Sequence, residues 1–347
     1  MDESRGTSHV YGIDRHTLCL TSLSTADASH SLFALGTLGI HEPGEIHIVD
    51  LNSDDDDVLH NSVFTHTTGI RALAAAPWDE QQLLVVSTEG TVELVALARG
   101  GEREETQVMA QLEQTSKANR VVCHPMAAVR QAAVVAAGVG VTMWDMAHLP
   151  ALTQSLALED IETAAWHPTS STVLATSDTH GGLRTWDLRT ATVATAIECA
   201  HTGRIRALDY NPNLPYHLAS GGSDGALRIW DLRHSTSPLI SAANHTHWIC
   251  ALHYNPFHDQ LLLSAGSDAL VNLESAVSVS SARAADTHED DGPRPTDGLV
   301  KQYDDHESSV YAVQWSANDP WVFASLSFDG RLVINTVPRE EKYKILL

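Results

Sequence analysis

The chain has 347 residues, 43% of them apolar, enough for a substantial core, which excludes a disordered protein. Lysine and arginine total 21 against 44 aspartates and glutamates. The net charge of -23 repels phosphate backbones and anionic headgroups, so direct binding to nucleic acid or a membrane surface is disfavoured.

The N-terminus, Met1 to Arg5, has no apolar leader, and the most apolar run, Ala132 to Val141, is about half a membrane span. No membrane insertion is expected. Cys19, Cys123, Cys199 and Cys250 form no CxxC pair, and no His/Cys pair has zinc-finger spacing, so the four read as reduced, buried thiols of a cytosolic protein with no metal or cofactor.

Short strands broken by Gly, Pro, Asn and Asp recur along the chain with almost no helical period. Gly44 to Val49 and Gly90 to Val95 are the first two alternating runs. Between them lies Asp54 to Asp57, whose four adjacent carboxylates belong on an exposed connection and lack calcium-loop spacing. Trp144, Trp186 and Trp230, each followed by Asp, close later runs at spacings of 42 and 44 residues. The acid six residues ahead of the tryptophan then places Glu274 (from Asp268) and Asn335 (from Asp329) in the same slot.

A second marker is independent. His66, His201, His245 and His306 each stand 29 residues before that slot. Apolar residues follow at plus four (Ile70, Ile205, Ile249, Val310) and plus seven (Leu73, Leu208, Leu252, Val313), then Tyr-Asn-Pro or Trp-His-Pro turns at Tyr210, Tyr254 and Trp166. Seven units result, ending near Val49, Val95, Trp144, Trp186, Trp230, Glu274 and Asn335. His early and Trp-Asp late at this period resemble the WD40 family, which implies an all-β fold: a single seven-bladed β-propeller of four-stranded blades over residues 1–347. Either His9 to Ile13 or Lys342 to Leu347 supplies the outer strand that closes the ring, and the C-terminal segment is the favoured one.

Taken alone, His201, Ser220 and Asp224 look like a nucleophilic triad. The set recurs as His245, Ser264 and Asp268 and as His306, Ser325 and Asp329, and a copy in every blade is what a framework needs, not an active site. The resemblance implies a structural hydrogen-bond network of His66, His201, Ser220, Asp224, Trp230, Trp186, His245, Ser264, Asp268, His306, Ser325 and Asp329, in which a buried imidazole takes its acceptor from the turn acid. Gly221 to Gly225 is then a tight turn and fails as a phosphate loop, because no Lys-Ser/Thr pair follows and a strand comes next.

What no blade needs for itself is the rim of the central channel. Plus three and plus five from the histidine, or its equivalent, give Arg71, Asp160 with Glu162, Arg204 with Arg206, Trp248, and Ser309 with Tyr311; Arg, Trp and Tyr are the usual makings of an interface hot spot. Trp-Asp-Leu-Arg occurs twice, ending at Arg189 and Arg233. This resembles the WDxR box of cullin-RING ubiquitin-ligase substrate receptors, an alternative role. Between the sixth and seventh slots the spacing jumps to 61, and the excess falls in the acidic stretch 280–299, expected as a mobile surface insert between blades six and seven, either solvated or a docking and phosphoregulated segment.

The last 45 residues are more specific than the repeat. His306 runs through Trp315 and Trp321 to Asp329 and Asn335, and the chain closes on Val337-Pro-Arg and Lys342 to Leu347. This stretch resembles the EARP and GARP complex-interacting protein family, with further matches at Tyr11-Gly12, His247-Trp248, His258 to Leu263 and Val277 to Ser281. The likeness spans the whole chain, is weaker upstream and is strongest over residues 200–347. It implies a cytosolic, non-enzymatic scaffold, a monomer within a larger assembly. Its partners would be protein subunits of vesicle-tethering complexes in endosomal recycling and retrograde traffic to the trans-Golgi network, and the scaffold would be peripheral at those membranes through them. Arg71, Arg204, Arg206, Trp248, Tyr311, Trp321, Arg189 and Arg233 are the candidate partner-binding residues.

Overall fold

A computed structural model describes residues 8–39, 42–52, 59–97, 106–113, 116–148, 150–282 and 296–346. Its strands form seven antiparallel four-stranded sheets. Blades one to six occupy residues 17–66, 70–112, 120–157, 161–197, 205–242 and 249–303, and blade seven joins 310–336 to the N-terminal strand His9–Gly12. Strand pairing confirms the repeat: Val49, Val95, Trp144, Trp186, Trp230, Glu274 and Asn335 all lie on third strands, opposite Phe33, Leu83, Ala132, Leu174, Leu218, Leu262 and Phe323 of the second.

The core is a ring of seven clusters, each shared by two neighbouring blades. One joins Leu183 and Ala175 of blade four to Leu208, Tyr210 and Trp230 of blade five. Another joins Phe33 and Leu35 of blade one to Leu326 and Ile334 of blade seven, so the toroid is closed. Because a sheet face is apolar on both sides here, no blade can bury its surface alone.

Asparagine side chains clip blade to blade at the far end of the inner strands. Asn211 Nδ2 donates to Asp259 Oδ2 (3.0 Å), Asn255 Nδ2 to the Pro320 carbonyl (2.7 Å) and Asn318 Nδ2 to the Thr25 carbonyl (2.9 Å). The same Asn211 and Asn255 side-chain oxygens accept the next backbone amides, which forms the Tyr-Asn-Pro turns. At the other end, Gly225 has φ of +72°, and a Cβ there would stand 2.7 Å from the His245 carbonyl of the following blade. That turn needs glycine for conformation and for space.

Three expectations are corrected. His9–Gly12 pairs with Arg331 to Ile334 and closes the ring, whereas the C-terminal segment is a helix, Arg339–Leu346, led by Pro338 and acidic in its first turn. The acidic insertion interrupts blade six itself, between Val271–Ser275 and Gly298–Tyr303, because Gly298–Tyr303 pairs back on that strand as the blade's outer edge. The expected mobility of its central residues, 283–295, lies outside the described residues, as does the run Asp54 to Asp57. Finally, all four cysteines are free, but Cys199 is exposed; burial pushes the Cys19 and Cys123 thiols up to about 12.

Candidate functional site, the mouth of the central channel

The recurring histidines serve the framework. In blade five, His201 Nδ1 meets Asp224 Oδ1 at 2.9 Å and Nε2 meets Ser220 Oγ at 2.8 Å, while Trp230 Nε1 donates to the same Oγ at 3.0 Å. Burial keeps the ring neutral, so Nδ1-H donates to the carboxylate and Nε2 accepts a hydrogen bond from the serine hydroxyl. Ser220 is fully buried and already engaged, which leaves no room for a substrate carbonyl. Blade six repeats the chain through His245, Asp268 (3.1 Å) and Ser264 (2.9 Å), with Glu274 in the tryptophan slot reaching Ser264 at 3.3 Å. In blade four, whose framework-histidine slot holds Ala157, Trp186 Nε1 donates to Thr176 Oγ1 at 2.9 Å.

Two members depart from the expected pattern. His306 meets Ser325 at 2.7 Å, but Asp329 accepts from Ser327 Oγ instead of the imidazole, and His306 Nδ1 is buried with no hydrogen-bond partner among the described residues. His66 meets Glu93 at 3.2 Å and the Thr68 carbonyl at 3.0 Å, because blade two has Val85 where blade five has Ser220. The third-strand acid fills in.

Burial holds several imidazoles below their ordinary value: His47, His124, His167, His201, His217 and His258, with His306 lowered to about 4. Below about pH 6.5 the unfolded chain takes up protons that the fold refuses, so stability is full above that pH and falls as pH drops toward 4. For His306 alone the loss reaches about 2 kcal/mol by pH 5. Urea midpoints should decline steadily from pH 7 to 4.5, and His306→Asn should flatten part of that slope; a pH-independent midpoint would contradict these buried neutral rings.

The channel encloses about 600 Å³. Six of the seven inner strands carry a one-residue bulge near their start, and the bulged residues are Leu18, Arg71, Glu162, Arg206, Cys250 and Tyr311. All six line the channel. A bulge turns a side chain out of the sheet's alternation, which is how the plus-five position reaches the lumen.

On the blade five and six side the mouth becomes a cluster. The Arg206 guanidinium lies 4.5 Å over the Trp248 ring, and the His247 ring lies tilted against the same indole at 4.8 Å between centroids. Trp248 is 41% exposed, a large ring held by neighbours and open to solvent. Arg204 reaches Glu162 at 3.9 Å; in blade seven Tyr311 packs edge-on against Phe328 of the neighbouring strand end at 5.9 Å. Arg71 is exposed at the wall of blade two, and Ser309 is spent on the Ser267 carbonyl.

The remaining candidates lie elsewhere. Trp321 sits under the C-terminal helix, its ring stacked on His258 at 4.6 Å and approached by Lys342 at 5.7 Å, so it packs and does not present a free face. Arg189 and Arg233 fold back on their own strand acids: Arg189 holds Asp187 at 3.1 and 2.8 Å, and Arg233 holds Asp231 at 3.0 and 2.8 Å while lying 3.6 Å over Tyr216. One residue the sequence reading missed is Arg120, whose side chain also lines the channel and donates to Thr163 Oγ1 at 3.0 Å and the Arg206 carbonyl at 3.3 Å. Blade three has no framework histidine to number from, which hid it.

Closed blades, stapled by a complete His-Ser-Asp-Trp chain in blade five and by partial versions of it in others, with an aromatic and basic mouth, define a WD40-type β-propeller. A family model described as the EIPR1 beta-propeller matches residues 5–274, and the WD domain, G-beta repeat model matches 298–334. The chain belongs to the EIPR1 β-propeller family. The EARP-interacting protein homolog of Danio rerio is 35% identical over 387 aligned residues, covering 97% of this chain and 98% of its own. EARP and GARP complex-interacting protein 1 of Homo sapiens is 32% identical with the same coverage, and WD repeat-containing protein DWA2 of Arabidopsis thaliana is 30% identical over 96% of this chain and 97% of its own. No catalytic family is among these matches.

Proposed function

We propose that this protein is a non-enzymatic adaptor that binds a multisubunit vesicle-tethering complex of the EARP and GARP type through its channel mouth. It would support endosomal recycling and endosome-to-Golgi transport, and its strongly acidic surface would leave membrane attachment to its partners. Full-length similarity to proteins named for that interaction supports the partner class. The observation that carries the choice of surface is the exposed Trp248 clamped beside Arg206, a rigid aromatic and guanidinium pair with no role in blade packing.

Trp248→Ala, or Arg204→Glu with Arg206→Glu, should cut co-purification of tether subunits by an order of magnitude or more, the cost of removing a hot spot of about 2 kcal/mol. Thermal melting of these variants should stay within a few degrees of the parent. Arg189→Ala with Arg233→Ala is the comparison: those arginines serve their own turns, and tether recovery should be unchanged. Full recovery in both mouth variants would remove this surface from consideration.

A further inference from the structure

The arginines of this protein divide into two groups. Arg15, Arg184, Arg189, Arg204, Arg228, Arg233 and Arg331 each have a carboxylate within 4.0 Å. Among the described residues Arg71, Arg120, Arg130, Arg206 and Arg339 have none, and of these only Arg120 and Arg206 are not exposed. In a chain with 44 acidic residues, the two inward-facing guanidiniums have no carboxylate within 4.0 Å among the described residues.

Both lie in the channel wall, joined where Arg120 donates to the Arg206 backbone carbonyl. Arg206 Nε is buried with no hydrogen-bond partner among the described residues. Around the pair stand Glu162, Arg204, Thr163 and the Cys250 thiol, and Glu162, the nearest acid, already faces Arg204 at 3.9 Å. Among the described residues the one other acid of the channel wall, Asp209, is occupied, accepting from the Tyr254 amide at 2.8 Å with His253 at 3.6 Å. Burial and the neighbouring Arg206 both weigh against the charged form of Arg120, with Glu162 opposing. Buried cations are normally paired, since an unpaired one forfeits its hydration without return.

We propose that Arg120 and Arg206 form an oxyanion site in the channel mouth, which receives the carboxylate or phosphate of one side chain on a partner peptide, with Trp248 packing against the flanking residue. Two guanidiniums offer the planar, forked donors that carboxylate and phosphate accept in bidentate fashion. A channel of about 600 Å³ within a surface of net charge -23 admits a single projecting group and repels a polyanion. The inference deepens the adaptor reading above and rests on it for the nature of the partner, but the site itself is testable on the purified chain.

The test uses fluorescence anisotropy with three labelled peptides that differ at one central position: glutamate, phosphoserine or alanine. The glutamate or the phosphoserine peptide should bind at least tenfold more tightly than the alanine peptide, should weaken as salt is raised, and should be displaced by excess free phosphate; which of the two binds identifies the source of the anion. Arg206→Gln should abolish that preference. Glu162→Gln should strengthen binding about threefold, since it removes the site's competing carboxylate, an outcome no loss of folding can imitate. Equal binding of all three peptides, or a preference that survives Arg206→Gln and ignores Glu162→Gln, would overturn the proposal. Retained tether co-purification by Arg206→Gln, together with lost peptide preference, would leave the anion site standing and show that the tether does not bind through it.

Discussion

Trp230→Ala should destabilise the fold by about 3–5 kcal/mol, among the larger effects available to a single substitution in this chain. The indole is 4% exposed and lies in the cluster that joins blades four and five, so its removal opens a cavity on an inter-blade seam that neither blade can close alone. It also strips Ser220 Oγ of one donor. Trp230→Phe separates the two terms: most of the apolar contact returns, and the remaining deficit, about 1 kcal/mol, is the hydrogen bond. Trp186→Ala should cost less, because that ring is only partly buried against the seam between blades three and four. Urea unfolding followed by tryptophan fluorescence and circular dichroism measures all three; a loss below about 1 kcal/mol for Trp230→Ala would show that the seam is not close-packed.

Removing residues 1–13 should be at least as damaging. The deletion takes away the four pairings of His9–Gly12, the Ile13 amide bond to the Gly330 carbonyl, and Tyr11 and Ile13 from the seam between blades seven and one. It also bares the edge of Arg331–Thr336, an apolar strand that invites pairing with other chains. We expect a melting temperature lower by on the order of 10 °C and self-association on gel filtration. Deleting residues 339–347 instead should be milder, because the helix covers the rim of an already complete blade, with Ile345 and the buried Glu341 as its main attachments. Similar melting curves for both deletions would contradict closure by the N-terminal strand.

The parts of this architecture that could be read from residues alone were those where one chemistry recurs at fixed spacing. His201, Ser220, Asp224 and Trp230 announce a blade because each needs the others as partners. Blades two and three lack that set and fill their seams with Ala132, Val134, Leu84 and Val86, whose only signature is alternation, so their registers were less legible. Ring closure was misread because Lys342 to Leu347 alternates as a strand does; Pro338 with Glu340 and Glu341 was the helix signal that outweighed it. The bulges did leave a trace. Ile205 and Leu208 are three apart, which an unbroken strand would place on opposite faces, yet both pack in one cluster with Tyr210, and that odd step marks where Arg206 is turned into the lumen. The missing counter-ions of Arg120 and Arg206 had no such trace, since charge balance at a point depends on three blades meeting there.

The closing seam also has a consequence for biosynthesis. Thr17 Oγ1 donates to the Ser327 carbonyl across 310 residues of sequence, so the strands of blade one must wait for strands made some 310 residues later. At ordinary translation speeds that wait is on the order of tens of seconds, during which the emerging solenoid has an unmatched apolar face at each end. Chaperone dependence in the cell should therefore track the final blade, and a circularly permuted gene that begins between two intact blades would shorten the vulnerable interval without changing a single contact in the finished ring.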